Sequence, residues 1–172
     1  MMIVSYPLNP VCVTAPDSFY EELITFAKKY NIIILHDNAY SDIIYGGRVG
    51  KSFLSFRGAR DVGVEFYSLS KSYNYTGARM SFVVGNQAVI DKFKNVRSQI
   101  DYGIFLPVQY GAIAALTGPQ DAVKAQCEEY DRRNHALSEG LTSIGWKVPL
   151  SQGTMFSWAP IPEGFANSNE FQ

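Results

Sequence analysis

The run Ile32-Ile33-Ile34-Leu35-His36-Asp37 constrains the fold more than any other stretch. It is apolar and rich in β-branched residues, turning polar only at its end. It lacks the alternation of a strand that is wetted on one face. It therefore predicts a strand buried on both faces, as in a parallel sheet covered by helices. A helix precedes it: Ser18 and Glu21 are spaced as a capping box, and Phe19, Leu23, Phe26 and Tyr30 recur on one face. Asn31 is placed to stop that helix. Further strands are expected at Met2–Tyr6, Val64–Leu69 and Met80–Gly85, with helices over 88–100 and 108–116. This alternation argues for an α/β class with a mostly parallel sheet.

A long helix follows Gly118-Pro119 and ends at Gly145. Val123, Cys127, Tyr130, Leu137, Leu141 and Ile144 share one face, interrupted by the polar Asn134, and the charges at 128–133 read as a solvated face. Beyond it, Trp146–Pro149 and Thr154–Trp158 read as strands of a new sheet. The expected division is thus 1–120, part of a large domain, and 121–172, a connecting helix with the start of a small, truncated α+β domain. The opening, Met2–Tyr6 running at once into Pro7-Leu8-Asn9-Pro10, reads as a chain that begins inside a larger fold.

Composition removes several classes. The net charge is −1 and the 15 Lys and Arg are scattered, so neither nucleic acid nor an anionic membrane is an expected partner. Ile32–Leu35 is the longest aliphatic run, far too short to span a bilayer. No basic region precedes the apolar N-terminal residues, so no signal peptide is read there. Cys12 and Cys127 lack metal-ligand spacing and read as reduced thiols of a cytoplasmic protein. No metal ligands are assigned. Aromatic residues make up 14% of the chain, which suits a lined pocket or a subunit interface.

In parallel sheets, ligands bind beyond the carboxyl ends of the strands. Asp37 ends one predicted strand and Lys71 follows another, in Ser68-Leu69-Ser70-Lys71, so both reach one sheet edge despite 34 residues of separation (71 − 37). A lysine amine can form a Schiff base with a phosphorylated aldehyde. Ser68, Ser70 and Arg79 can hold its phosphate, Arg79 bidentately. A carboxylate at Asp37 would keep a pyridine nitrogen protonated, so that the ring accepts electrons from an adjacent carbanion. Tyr40 and Asn9 can donate to a phenolate oxygen on that ring. Once displaced by a substrate amine, Lys71 could carry a proton to and from the substrate α-carbon.

Each residue alone has a plainer reading: Lys71 a surface lysine, Asn9 a turn residue, Tyr40 a packed aromatic, Ser70 a helix cap, Asp37 a cap or turn residue. Only their combination carries the chemistry. His36 points to the face opposite Asp37 and reads as packed. His135 reads as exposed on the charged helix, and Tyr45–Gly50 as a turn.

These residues resemble the class I/II aminotransferases of fold type I. Ser68-Leu69-Ser70-Lys71 with Gly77-Ala78-Arg79 resembles their pyridoxal-phosphate attachment signature, and Asp37-Asn38-Ala39-Tyr40 their contacts to the cofactor ring. Asn9-Pro10 resembles the start of an Asn-Pro-Thr-Gly turn, with Val11 and Cys12 where Thr and Gly are usual. Ala78 likewise replaces a bulkier residue. The likeness continues through Gln99–Gly103 to Gly153–Trp158 and is strongest to the LL-diaminopimelate and aspartate aminotransferase branch. It implies a pyridoxal 5'-phosphate enzyme passing an amino group from an amino acid to a 2-oxo acid, assembled as a homodimer. It also implies further segments, with a glycine-rich turn, a ring-stacking aromatic and a substrate-carboxylate arginine, that have no counterpart here. A truncated, catalytically silent piece and a fold type I lyase or synthase are the alternatives.

Overall fold

The computed structural model describes residues 1–172. Four strands, β1 (Met2–Ser5), β2 (Ile34–Asp37), β3 (Gly63–Ser68) and β4 (Ser81–Gly85), form one sheet in sequence order. The first three are parallel, and β4 pairs antiparallel to β3 at the edge. Seven helices surround them: α1 (Asp17–Tyr30), α2 (Ala59–Val62), α3 (Leu69–Ser72), α4 (Gln87–Arg97), α5 (Leu106–Thr117), α6 (Asp121–Ser143) and α7 (Ser168–Phe171). The α/β class and mostly parallel sheet are as expected.

The core lies between α1 and one face of the sheet, where Tyr20, Leu23, Ile24 and Ala27 meet Ile34, Phe53 and Ala59. The helix is rotated from the expected register. Phe26 and Tyr30 are exposed and pack on each other at 4.7 Å, with the Lys29 ammonium over the Tyr30 ring. The small Ala27, fully buried, lets the helix approach the sheet more closely than a bulky residue would. The Ser18 cap does not form either. The helix begins two residues earlier behind Pro16, and Asp17 in its first turn pairs with Lys51. Asn31 stops it as expected, in the left-handed conformation with φ 51°.

The other sheet face is covered over β3 and β4 only, by α4, where Phe93 packs edge-on against Phe66. Over β1 and β2 it is open, leaving Ile3 69% and Ile33 44% exposed. Ile32–Asp37 is therefore buried on one face and half-open on the other, a departure from the doubly buried strand its composition predicts.

Residues 146–158 form no second sheet. Their backbone turns back onto residues 12–45: Tyr45 N–H donates to Gln152 C=O, Thr154 N–H to Ile43 C=O, and Gln152 N–H to Cys12 C=O. A single antiparallel bridge joins Ile44 and Gly153. A strand exists only with a partner at its edge, and these segments have no partner beyond that bridge. Asn134, the polar interruption on α6, explains how they are held. Its buried amide accepts from Ser151 N–H at 3.0 Å and donates to Ser151 C=O at 3.2 Å.

Candidate active site at the sheet edge

Register alone brings the predicted residues together. Ser5, Asp37 and Phe66 are in line across β1, β2 and β3, and Ser68 of β3 faces Ser81 of β4. The Asn9 turn, Asp37–Tyr40 and Ser68–Lys71 thus leave the same carboxyl edge, and Arg79 enters β4 at that edge.

On this edge Lys71 lies in α3, one short turn beyond β3. Ser68 Oγ caps that turn by accepting from Ser70 N–H at 3.2 Å, so the capping role considered for Ser70 belongs to Ser68. Lys71 Nζ stands 5.9 Å from the centre of the Tyr40 ring, within cation–π range. The backbone of Lys71 is tied down from a distance: Gln126 on α6 donates to its C=O at 2.7 Å. Tyr73 donates to Gln120 at 2.8 Å and ties the same segment to the start of α6.

Arg79 connects to this turn through Thr76. The Thr76 hydroxyl donates to Ser70 C=O at 2.7 Å, and one Arg79 amine donates to Thr76 C=O at 3.0 Å. The rest of the exposed guanidinium is in no ion pair. Arg79 itself is held at φ 56°, a left-handed conformation that costs a non-glycine residue about 1–2 kcal/mol. Such backbone outliers concentrate where geometry serves a site.

The Asp37 carboxylate is exposed, accepting from Ala39 N–H at 3.2 Å. Tyr40 is buried, and burial, reinforced by the nearby Asp37 carboxylate, pushes its hydroxyl above the usual tyrosine range. The phenol therefore stays protonated and able to donate. Asn9 is exposed in its turn with a free amide. Three residues on, Cys12 sits at φ 64°, where the resemblance leads one to expect glycine, the residue that adopts this conformation without steric cost. Ser68 also lines a cleft of about 210 Å³ with Ser41, Asp42, Tyr73 and Leu116. A cleft of about 220 Å³ at Tyr6, Asp17, Arg48 and Lys51 contains none of the predicted residues.

Two features here were not anticipated. Gln126 has no signature in the sequence, because its partner is a backbone carbonyl 55 residues away. Glu65 had one: a lone carboxylate within the predicted strand Val64–Leu69. His36 is fully buried as expected, with Nδ1 3.6 Å from Glu65 Oε2 and Nε2 3.4 Å from the Tyr20 hydroxyl. His135 is half-exposed between Asp131 and Glu139.

An edge that gathers an amine, a carboxylate, a buried phenol and an available guanidinium fits a phosphorylated pyridine aldehyde. Known proteins point the same way. The family model described as aminotransferase class I and II matches residues 1–171. An LL-diaminopimelate aminotransferase of Halothermothrix orenii is 48% identical over 171 residues, which are 99% of this chain and 44% of that one. The glutamate-pyruvate aminotransferase AlaC of Escherichia coli is 43% identical over 166 residues, 96% of this chain and 40% of that one. Among solved structures, apo-BacF of Bacillus subtilis superposes with a TM-score of 0.94 at 34% identity, covering 99% of this chain and 45% of that one. An aminotransferase of Staphylococcus aureus gives 0.92 at 30% identity, covering 98% and 44%. The chain thus spans less than half the length of the relatives it matches. It belongs to the class I and II aminotransferases, a family of pyridoxal-phosphate-dependent enzymes.

Proposed function

We propose that this chain carries the cofactor-anchoring part of an aminotransferase that moves an amino group between an amino acid and a 2-oxo acid. The Lys71 amine would hold pyridoxal phosphate, which when bound would supply an electron-accepting ring. Asp37 binds the ring nitrogen and keeps its proton in place. Tyr40 and Asn9 donate to the ring oxygen, Tyr40 from a hydroxyl that burial keeps protonated. Ser68, Ser70 and Arg79 bind the phosphate, with Arg79 offering the amines that Thr76 leaves free. Lys71 Nζ would be the base that moves the substrate α-proton.

The carrying observation is the convergence of Lys71 and Tyr40, 5.9 Å apart, at the edge where Asp37 ends β2. Mixing the protein with pyridoxal phosphate is expected to give an absorbance band that borohydride fixes on Lys71, located by peptide mass spectrometry. Absence of any modified Lys71 peptide overturns the reading. Transamination with glutamate, alanine and LL-diaminopimelate as donors then identifies the substrate class. A lyase or synthase would instead release a product that has lost or exchanged its side chain.

The division into 1–120 and 121–172, a cytoplasmic location and homodimeric assembly belong to the same proposal. The exposed apolar residues of α5, among them Tyr110 at 66% and Ile113 at 56%, support association. They also favour a second reading, in which this stretch folds and associates without turnover. Equal specific activity of this chain and of a longer relative would reject it.

A further inference from the structure

One buried carboxylate has no part in the chemistry above. Glu65, in the middle of β3, is fully buried, as is His36 beside it on β2. Taking a carboxylate out of water is costly, and an apolar side chain of similar volume would commonly serve stability as well or better. What Glu65 offers that an apolar residue would not is the set of donors it holds.

Its two oxygens have different partners. Oε2 accepts from Ser52 Oγ and Leu54 N–H, both at 3.1 Å, and so fastens the short turn 53–55. Oε1 accepts from the Asn38 amide at 2.6 Å. Asn38 is 2% exposed and lies between Asp37 and Tyr40. Its N–H donates to Phe66 C=O at 2.9 Å, and its C=O accepts from Ser41 N–H at 3.3 Å. The Asn38 side chain thus points to the Glu65 face of the sheet, while Asp37 points to the other. Any rotation of this peptide would carry the Asp37 carboxylate and the Tyr40 ring with it.

We infer that Glu65 is a positioning residue: it holds Asn38 on the far face of the sheet and so sets where Asp37 and Tyr40 stand. The inference takes its purpose from the cofactor reading, but its test does not need the cofactor. The competing account is that Glu65 serves only the turn at 53–55.

Hydrogen exchange of the chain without cofactor separates the two. Glu65→Leu is expected to speed exchange of the Ala39, Ser41 and Ile43 amides at least tenfold, while Leu23 to Ala27 in α1 keep their protection. Asn38→Ala should do the same from the other side, and it decides the question if Glu65→Leu fails to fold. Ser52→Ala, which removes the hydroxyl bond from the turn and leaves the Asn38 bond intact, should leave the three amides within about threefold of wild type. Glu65→Gln, which can still accept from Asn38, should restore most of the protection. Unchanged exchange at 39–43, or an equal rise across α1, overturns the inference. In a parallel titration, Glu65→Leu should weaken pyridoxal phosphate binding about tenfold. A wild-type chain that binds none would defeat the cofactor reading, and the exchange data would still decide the role of Glu65.

Discussion

Lys71 illustrates how little a single side chain declares. As one of 15 cationic residues it is unremarkable; its surroundings support the role proposed for it. Under the proposed function, Lys71→Ala is expected to abolish covalent cofactor capture, read as loss of the borohydride-fixed Lys71 peptide, and to lower any transamination by about a thousandfold in a coupled assay. The aromatic residues set a pH limit. Tyr67 lies on the Glu65 face, and burial, followed by the Glu65 carboxylate, pushes its hydroxyl from 10.0 to about 12. A group whose folded pKa is raised gives stability that is complete below its unfolded pKa and lost as pH rises through the folded one. Urea unfolding should therefore show falling stability between pH 10 and 12, and Tyr67→Phe should remove about 1 kcal/mol of that loss. Some slope will remain, because burial also raises Tyr20 and Tyr45.

Among the elements, α6 does more than connect. Its first half holds the Lys71 backbone through Gln126, and its middle holds the 146–158 segment through Asn134. Asn134→Ala would leave the Ser151 N–H and C=O without partners in a buried place. It should cost about 2 kcal/mol in urea unfolding, with Ser138→Ala, which removes one hydroxyl donor to Val148, costing less. The four long helices α1, α4, α5 and α6 were legible, and their ends fell within about three residues of those expected; the one-turn helices α2, α3 and α7 were not read from the sequence. What failed was rotation and pairing. The α1 stripe moved because Ala27, not Phe26, faces the sheet, and a hydrophobicity pattern does not rank a small residue above a large one. The strands expected after Gly145 failed because strand formation depends on an edge elsewhere in the chain.

At the scale of the whole molecule, the apolar surface is the outstanding feature. Phe105, Leu106, Tyr110 and Ile113 are all more than half exposed, as is Ile100 at the end of the preceding segment. Light scattering at micromolar concentration should give a mass above the 19.2 kDa of one chain, and Ile113→Glu should shift it back toward that value. No helix is long and apolar enough to cross a membrane. The sequence by itself determined the α/β class, the order of the four sheet strands and the four long helices, and the residue types needed for an amine–carboxylate–guanidinium site. These follow from local periodicity and from chemistry carried in short motifs. Only the tertiary structure decided that Glu65 and Asn38 meet beneath the site, that Gln126 reaches Lys71, and that one face of β2 stays open. Each depends on contacts between residues far apart in the chain, and no local pattern encodes which distant surface a side chain will meet.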